Sequence, residues 1–222
     1  MLIICGSCES VIPLENLANR LAEKLAASLG YDAEKQAVIA YGLKGILQLL
    51  VLALLLLVLG LLFSAVGALF TVYLTVALYR KYSGGGHASS MEVCTLFSGI
   101  ICLLLGLSGK MMAAWTLPLW SRFLLLFLTF AAAFLITFQK APIDSPNKPI
   151  RSPEKRGRMR RGSFLVLAAA FLFACFFLIR NSGCGYALLL AVLWQAFTLT
   201  PPGVAFIGLI DRIFSGKAGR SY

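Results

Sequence analysis

The run 46–79 is apolar almost without interruption, and that alone limits what the chain can fold into. As one α-helix it would measure about 51 Å at 1.5 Å per residue. The hydrocarbon core of a bilayer is only about 30 Å thick. Two consecutive spans with a break near 60–64 are the simplest solution. Further apolar runs follow at 93–107, 123–138, 164–179 and 186–210, the last interrupted by Pro201 and Pro202. With 59% hydrophobic and 13% charged residues in a chain of 222, there is more apolar surface than a soluble core could bury; soluble domains average about 45–50% and 25%. A soluble enzyme, a disordered chain and a fibrous protein are all excluded. The expectation is an all-α, polytopic membrane protein with about six transmembrane helices. It forms a single membrane domain over 1–222: a surface helix at 11–30, spans one to four within 46–138, a basic loop at 139–163, and spans five and six within 164–210.

The surface helix is read over Pro13–Leu29 from Leu14, Leu17, Leu21 and Leu25, which recur at helical spacing, with Pro13 suited to the first turn and Gly30 to the stop. Glu15, Arg20, Glu23 and Lys24 take other positions, so the helix suits a membrane surface. Ser108-Gly109-Lys110 is expected to close the third span, and Trp115, Pro118 and Trp120 suit an interfacial segment. The net charge is +11, and seven basic residues fall within 148–161. Flanked by apolar runs, that cluster reads as a cytoplasmic loop obeying the positive-inside bias rather than as a nucleic-acid patch. Six spans then place Arg80, Lys81, the 139–163 loop and both ends of the chain inside. No secretory signal is visible: the apolar stretch 2–4 is short and no basic residue precedes it. Six cysteines do not make a disulfide scaffold in so apolar a chain. Cys5 and Cys8 form a single C-x-x-C without a second pair, so a four-ligand zinc site is not available. No metal or cofactor is implied.

The chain holds one histidine, His87, after Ser83-Gly84-Gly85-Gly86 in the connection between spans two and three. Cys94 follows seven residues later. Ser89-Ser90-Met91-Glu92 fits a capping box that starts a helix just after His87 and puts Cys94 in its second turn. A helix N-terminus favours negative charge, hence a thiolate, and an imidazolium nearby would favour it further. On one regular helix seven positions separate Cα atoms by about 10 Å, too far for contact. The glycines permit the fold-back that a His–Cys pair needs. Taken singly, each element has a plainer reading: a glycine turn, a buried thiol, a solvated imidazole.

The run Arg80-Lys81-Tyr82-Ser83-Gly84-Gly85-Gly86-His87-Ala88, with Cys94 and Ser98 beyond it, resembles the accessory gene regulator B family of membrane cysteine endopeptidases. Members carry an Arg seven residues before the His, a Gly two before it and the nucleophilic Cys seven after. Arg80, Gly85, His87 and Cys94 occupy those places. A second stretch, Ala141-Pro142-Ile143-Asp144-Ser145-Pro146-Asn147-Lys148-Pro149-Ile150, resembles the family's loop after the fourth span. Tyr41-Gly42-Leu43 before span one also fits.

The resemblance implies a protease that removes the C-terminal tail of a short quorum-sensing precursor peptide and promotes closure of a thiolactone or lactone ring. Cys94 would be the nucleophile and His87 the general base, then acid. Arg80 would hold a substrate carboxylate or simply anchor a span end. Asp144 would orient His87 or do nothing catalytic. Lys148 and the cluster after it would attract an acidic precursor tail or anionic lipid. Expected partners are the precursor peptide, membrane lipid and a second copy of the chain, with no nucleic acid. The rival readings are a peptide exporter without covalent chemistry, with Pro118 and Pro201-Pro202 breaking helices along a path, and a structural or immunity-type membrane protein.

Overall fold

A computed structural model describes residues 13–85, 91–143 and 152–215. It contains eight helices and, among the described residues, no strand: α1 (Pro13–Leu29), α2 (Ala33–Leu62), α3 (Val66–Ser83), α4 (Met91–Ala114), α5 (Leu119–Lys140), α6 (Pro153–Ile179), α7 (Gly183–Thr198) and α8 (Pro201–Ser215). The chain divides into two compact units, 1–51 and 52–222, with the boundary inside α2.

In the first unit α1 has the bounds expected from its leucine spacing, and it stops at Gly30, whose φ is +63°. Ala18, Ala22 and Ala26 are its buried positions, while Leu17, Leu21, Leu25 and Leu29 remain exposed. The leucine stripe is therefore an outward apolar face, as a surface helix requires. Asp32 Oδ1 accepts from the Lys35 backbone N–H at 2.9 Å and caps the start of α2.

The second unit is built around α7. This helix packs against α3, α4, α5, α6 and α8, and Tyr186, Ala187, Ala191, Val192 and Gln195 are fully buried. Lipid tails are as apolar as leucine, so water exclusion does not hold such helices together; close packing does. Gly109 of α4 shows the means. A Cβ there would collide with the backbone of Ala187, so the two helices touch main chain to main chain. That explains why the third span does not close at Ser108-Gly109-Lys110: α4 continues to Ala114. The glycine serves the α7 contact, and Lys110 Nζ donates to Phe63 O at 2.8 Å. At the same end Arg122 donates to Leu117 O (2.7 Å) and Leu178 O (3.0 Å), and Asn181 Nδ2 donates to Ala113 O at 2.8 Å. The carbonyls of Phe63, Leu178 and Ala113 lie at or near helix C-termini, where intrahelical partners run out, and that of Leu117 lies in the connection before α5.

The break in the long apolar run falls at 63–65, where Ser64 takes φ +50°. Four helices, α2, α4, α5 and α6, are long and apolar enough to cross a membrane. The pair α7–α8, bent by 91° after Thr198, would make a fifth. The sequence count of about six is thus four to five by length and composition, because α3 is only 18 residues and ends in Arg80 and Lys81. The basic loop expected at 139–163 is also shorter than expected. Lys140 ends α5, and α6 already begins at Pro153, a proline suited to a first helical position. Much of the basic cluster therefore lies on a helix.

Two substitutions test this packing by thermal unfolding in detergent. Gly109→Val should cost about 1–3 kcal/mol by forcing α4 from α7. Tyr79→Phe should cost about 1 kcal/mol, because the Tyr79 hydroxyl bonds Thr137 Oγ1, which itself donates to Ala133 O.

Candidate functional site

The end of α3 and the start of α4 meet at one end of the bundle. Arg80 lies in the last turn of α3, and Cys94 is the fourth residue of α4. Cys94 is partly exposed, unlike Cys102 one helical segment further on, which is buried. Burial disfavours charge on the Arg80 guanidinium, and negative charge at Cys94 would offset part of that cost. The fold thus brings together two of the residues singled out in the sequence.

Between them lies the glycine turn. Gly84 ends α3 with φ +74° and ψ −152°, its N–H bonded to Arg80 O, and Gly85 has φ +132°. L side chains rarely adopt either conformation. The turn is held on two sides. On one, the Ile143 N–H donates to Ser83 O at 3.0 Å, and a Cβ on Gly84 would collide with the Ile143 carbonyl. On the other, Gln195 of α7 donates its amide N–H groups to Gly84 O at 3.0 Å and Ser83 Oγ at 3.2 Å. Thr198 Oγ1 is 3.3 Å from where a Gly85 Cβ would stand. The two family-like stretches, far apart in sequence, therefore meet: the segment 141–143 braces the turn of 83–85. His87, Asp144, Lys148, Ser89, Cys5 and Cys8 lie outside the described residues.

Two features escaped the sequence reading. Gln195 is fully buried, and among the described residues its Oε1 has no hydrogen-bond partner. The signal was present, since a lone amide in a strongly apolar run is functional by default in a membrane protein. The second is an open groove of about 590 Å³ beside the turn, with Ile143, Leu199, Val204 and Leu209 as apolar walls and Lys140 and Arg212 at its border. No sequence signal joins Lys140 to Arg212; only the elbow after Thr198 brings α8 back across the end of α5. One turn beyond Cys94, Phe97 packs with Trp194 and Phe206 at centroid distances of 6.1 and 6.3 Å. These rings join α4, α7 and α8 behind the thiol.

Residues 18–199 match the family model described as accessory gene regulator B. Among curated relatives, a protein of Clostridium perfringens (strain SM101 / Type A), named for its likeness to AgrB, is 31% identical over 212 residues, covering 92% of this chain and 99% of the relative. A second AgrB-like protein, from Clostridium perfringens (strain 13 / Type A), is 33% identical over 213 residues with the same coverage. No solved structure matches. With a match over most of its length and two relatives covered almost end to end, the chain belongs to the accessory gene regulator B family.

Proposed function

We propose that the protein is a membrane-embedded cysteine endopeptidase that trims the C-terminal tail from a short quorum-sensing precursor peptide and leaves the remainder ready for cyclisation. Family membership ties the chain to quorum-sensing peptides. The observation that carries the chemistry is the placement of Arg80 in the last turn of α3 and Cys94 at the start of α4, with the chain's sole histidine between them in sequence.

In this scheme the Cys94 thiolate, near the N-terminus of α4 and beside the Arg80 cation, attacks the scissile carbonyl. A C–S bond forms, and the carbonyl oxygen takes the negative charge. The tetrahedral species collapses with cleavage of the C–N bond, and His87, carrying the proton first taken from the thiol, gives it to the leaving amine. The N-terminal part of the peptide remains as a thioester on Cys94. A thiol within that part gives its proton to the now neutral His87 and exchanges for Cys94, closing a thiolactone; one thioester replaces another, and Cys94 leaves as thiolate. A precursor hydroxyl would give a lactone by the same route. Water competes for the acyl-enzyme, and a site set among α4, α7 and the aromatic cluster limits its access. The groove bordered by Lys140 and Arg212 suits a peptide with an apolar face and acidic groups.

The 91° elbow between α7 and α8 is the observation that favours the rival reading, a peptide exporter, because discontinuous helices line many transport paths. One experiment separates them. A candidate precursor is co-expressed with wild type, Cys94→Ala and His87→Ala, and the products are weighed by mass spectrometry. Tail removal by wild type is expected to vanish with Cys94→Ala and to slow by about 10²–10⁴-fold with His87→Ala. An N-terminal product one water lighter than the hydrolysed fragment marks ring closure. Equal processing by all three chains would sink the peptidase and leave the exporter.

The site is proposed to face the cytoplasm, following the basic residues around it. Alkaline phosphatase fused after residue 150 should then be inactive, and the same reporter fused after residue 116 active. The reverse pattern would invert the orientation.

A further inference from the structure

Gln195 is fully buried in α7 among Val192, Ala191 and Ala196. A carboxamide is an awkward choice there. Among the described residues its Oε1 has no hydrogen-bond partner, and a buried acceptor left unpaired costs stability. Methionine would fill a similar volume without burying an unpaired acceptor of its own. The amide is explained by its nitrogen, which reaches Gly84 O and Ser83 Oγ at 3.0 and 3.2 Å. No other side chain of α7 bonds this turn among the described residues, and the opposite brace, Ile143 N–H to Ser83 O, is main chain. The helix that carries the amide packs on α3, α4, α5 and α6, so it is a rigid support for a site.

We propose that Gln195 is a positioning residue of the site: its amide nitrogen fixes the Ser83–Gly84–Gly85 turn from which the chain runs to His87. This rests on the peptidase reading. The covalent tether is short. His87 is two residues past Gly85 in the sequence. Cys94 stands on α4, and α4 packs on α7. A turn pinned to α7 therefore sets the starting point of the tether relative to the thiol. Catalytic groups tolerate little error, with displacements of about 1 Å costing up to about 10²-fold in rate. Gln195 touches neither substrate nor thiol in this role; it acts through the turn.

The test uses the full chain in detergent micelles and a precursor that wild type trims. Gln195→Met should lower kcat by roughly 10–100-fold with KM changed less than about twofold, a loss larger than any fall in melting temperature accounts for. Gln195→Glu provides the second readout. A carboxyl buried at this depth resists ionisation, and its protonated form carries an O–H that can replace the amide donor to Gly84 O. Measured against wild type at the same pH, trimming by this variant should approach the wild-type rate at low pH and fall behind it as the carboxylate forms. If Cys94→Ala is inactive while Gln195→Met trims at the wild-type rate, this inference alone fails. If both variants at 195 lose activity only in proportion to a fall in melting temperature, Gln195 is merely structural and the inference is overturned. If Cys94→Ala still trims, the peptidase reading fails and takes this one with it.

Discussion

A helix surrounded by other helices within lipid gains nothing from the exclusion of water, so α7 must be held by contact alone. The rest of the bundle depends on how that contact is made. Gly109 admits the Ala187 backbone at van der Waals range, and Lys110 Cα lies 2.9 Å from where a Gly183 Cβ would stand. At the opposite end Gly162 of α6 accommodates the ring of Tyr82. Small residues at these crossings bring main chains close enough for dispersion to accumulate over many atoms. Larger side chains would hold the helices apart and loosen both ends of the bundle.

Once α7 is fixed, the site follows from it. Its C-terminal turn presents Gln195 and Thr198 to the Ser83–Gly85 turn, and its aromatic face meets Phe97 one turn beyond Cys94. The chain then bends sharply, and α8 returns beside Lys140 and Ile143 to form one wall of the groove. The thiol, the cationic groove and the brace from 141–143 are thus joined through one central helix, although the residues come from five helices and two connections. The arrangement brings the turn at 83–85 and the segment 141–143 together, although nearly sixty residues separate them in the chain.

Much of this was legible in the sequence, for identifiable reasons. Leucine spacing located α1 to the residue, because a 3.6-residue period in an otherwise polar segment has one interpretation. The split of the run 46–79 was forced by membrane thickness. The His–Cys stretch and the 141–150 stretch were visible as motifs, and the fold places the described parts of both at one end of the bundle. What failed was the reading of punctuation. Ser108-Gly109-Lys110 looked like a stop, but a glycine within lipid more often marks close helix contact, and Lys110 reaches back to a carbonyl. The cluster of cations suggested an extended loop, whereas good helix formers such as Lys and Arg continue α6 outward from its apolar part. Gln195 and the Lys140–Arg212 groove could not be found by spacing, since their partners lie far away in the chain.

The cations at the two ends of the bundle do different work. At the end formed by the 63–65 and 115–118 connections, Lys110 and Arg122 are bonded to helix carbonyls, and Arg180 lies over the Phe176 ring at 4.2 Å. At the other end stand Arg80, Lys81, Lys140 and the basic start of α6. The molecule is therefore electrically lopsided along the bundle axis. A transmembrane voltage does work of about 2.3 kcal/mol on each unit charge per 100 mV. In an energised membrane the two possible insertions of this bundle thus differ in energy through the voltage itself, a bias that vanishes when the membrane is depolarised.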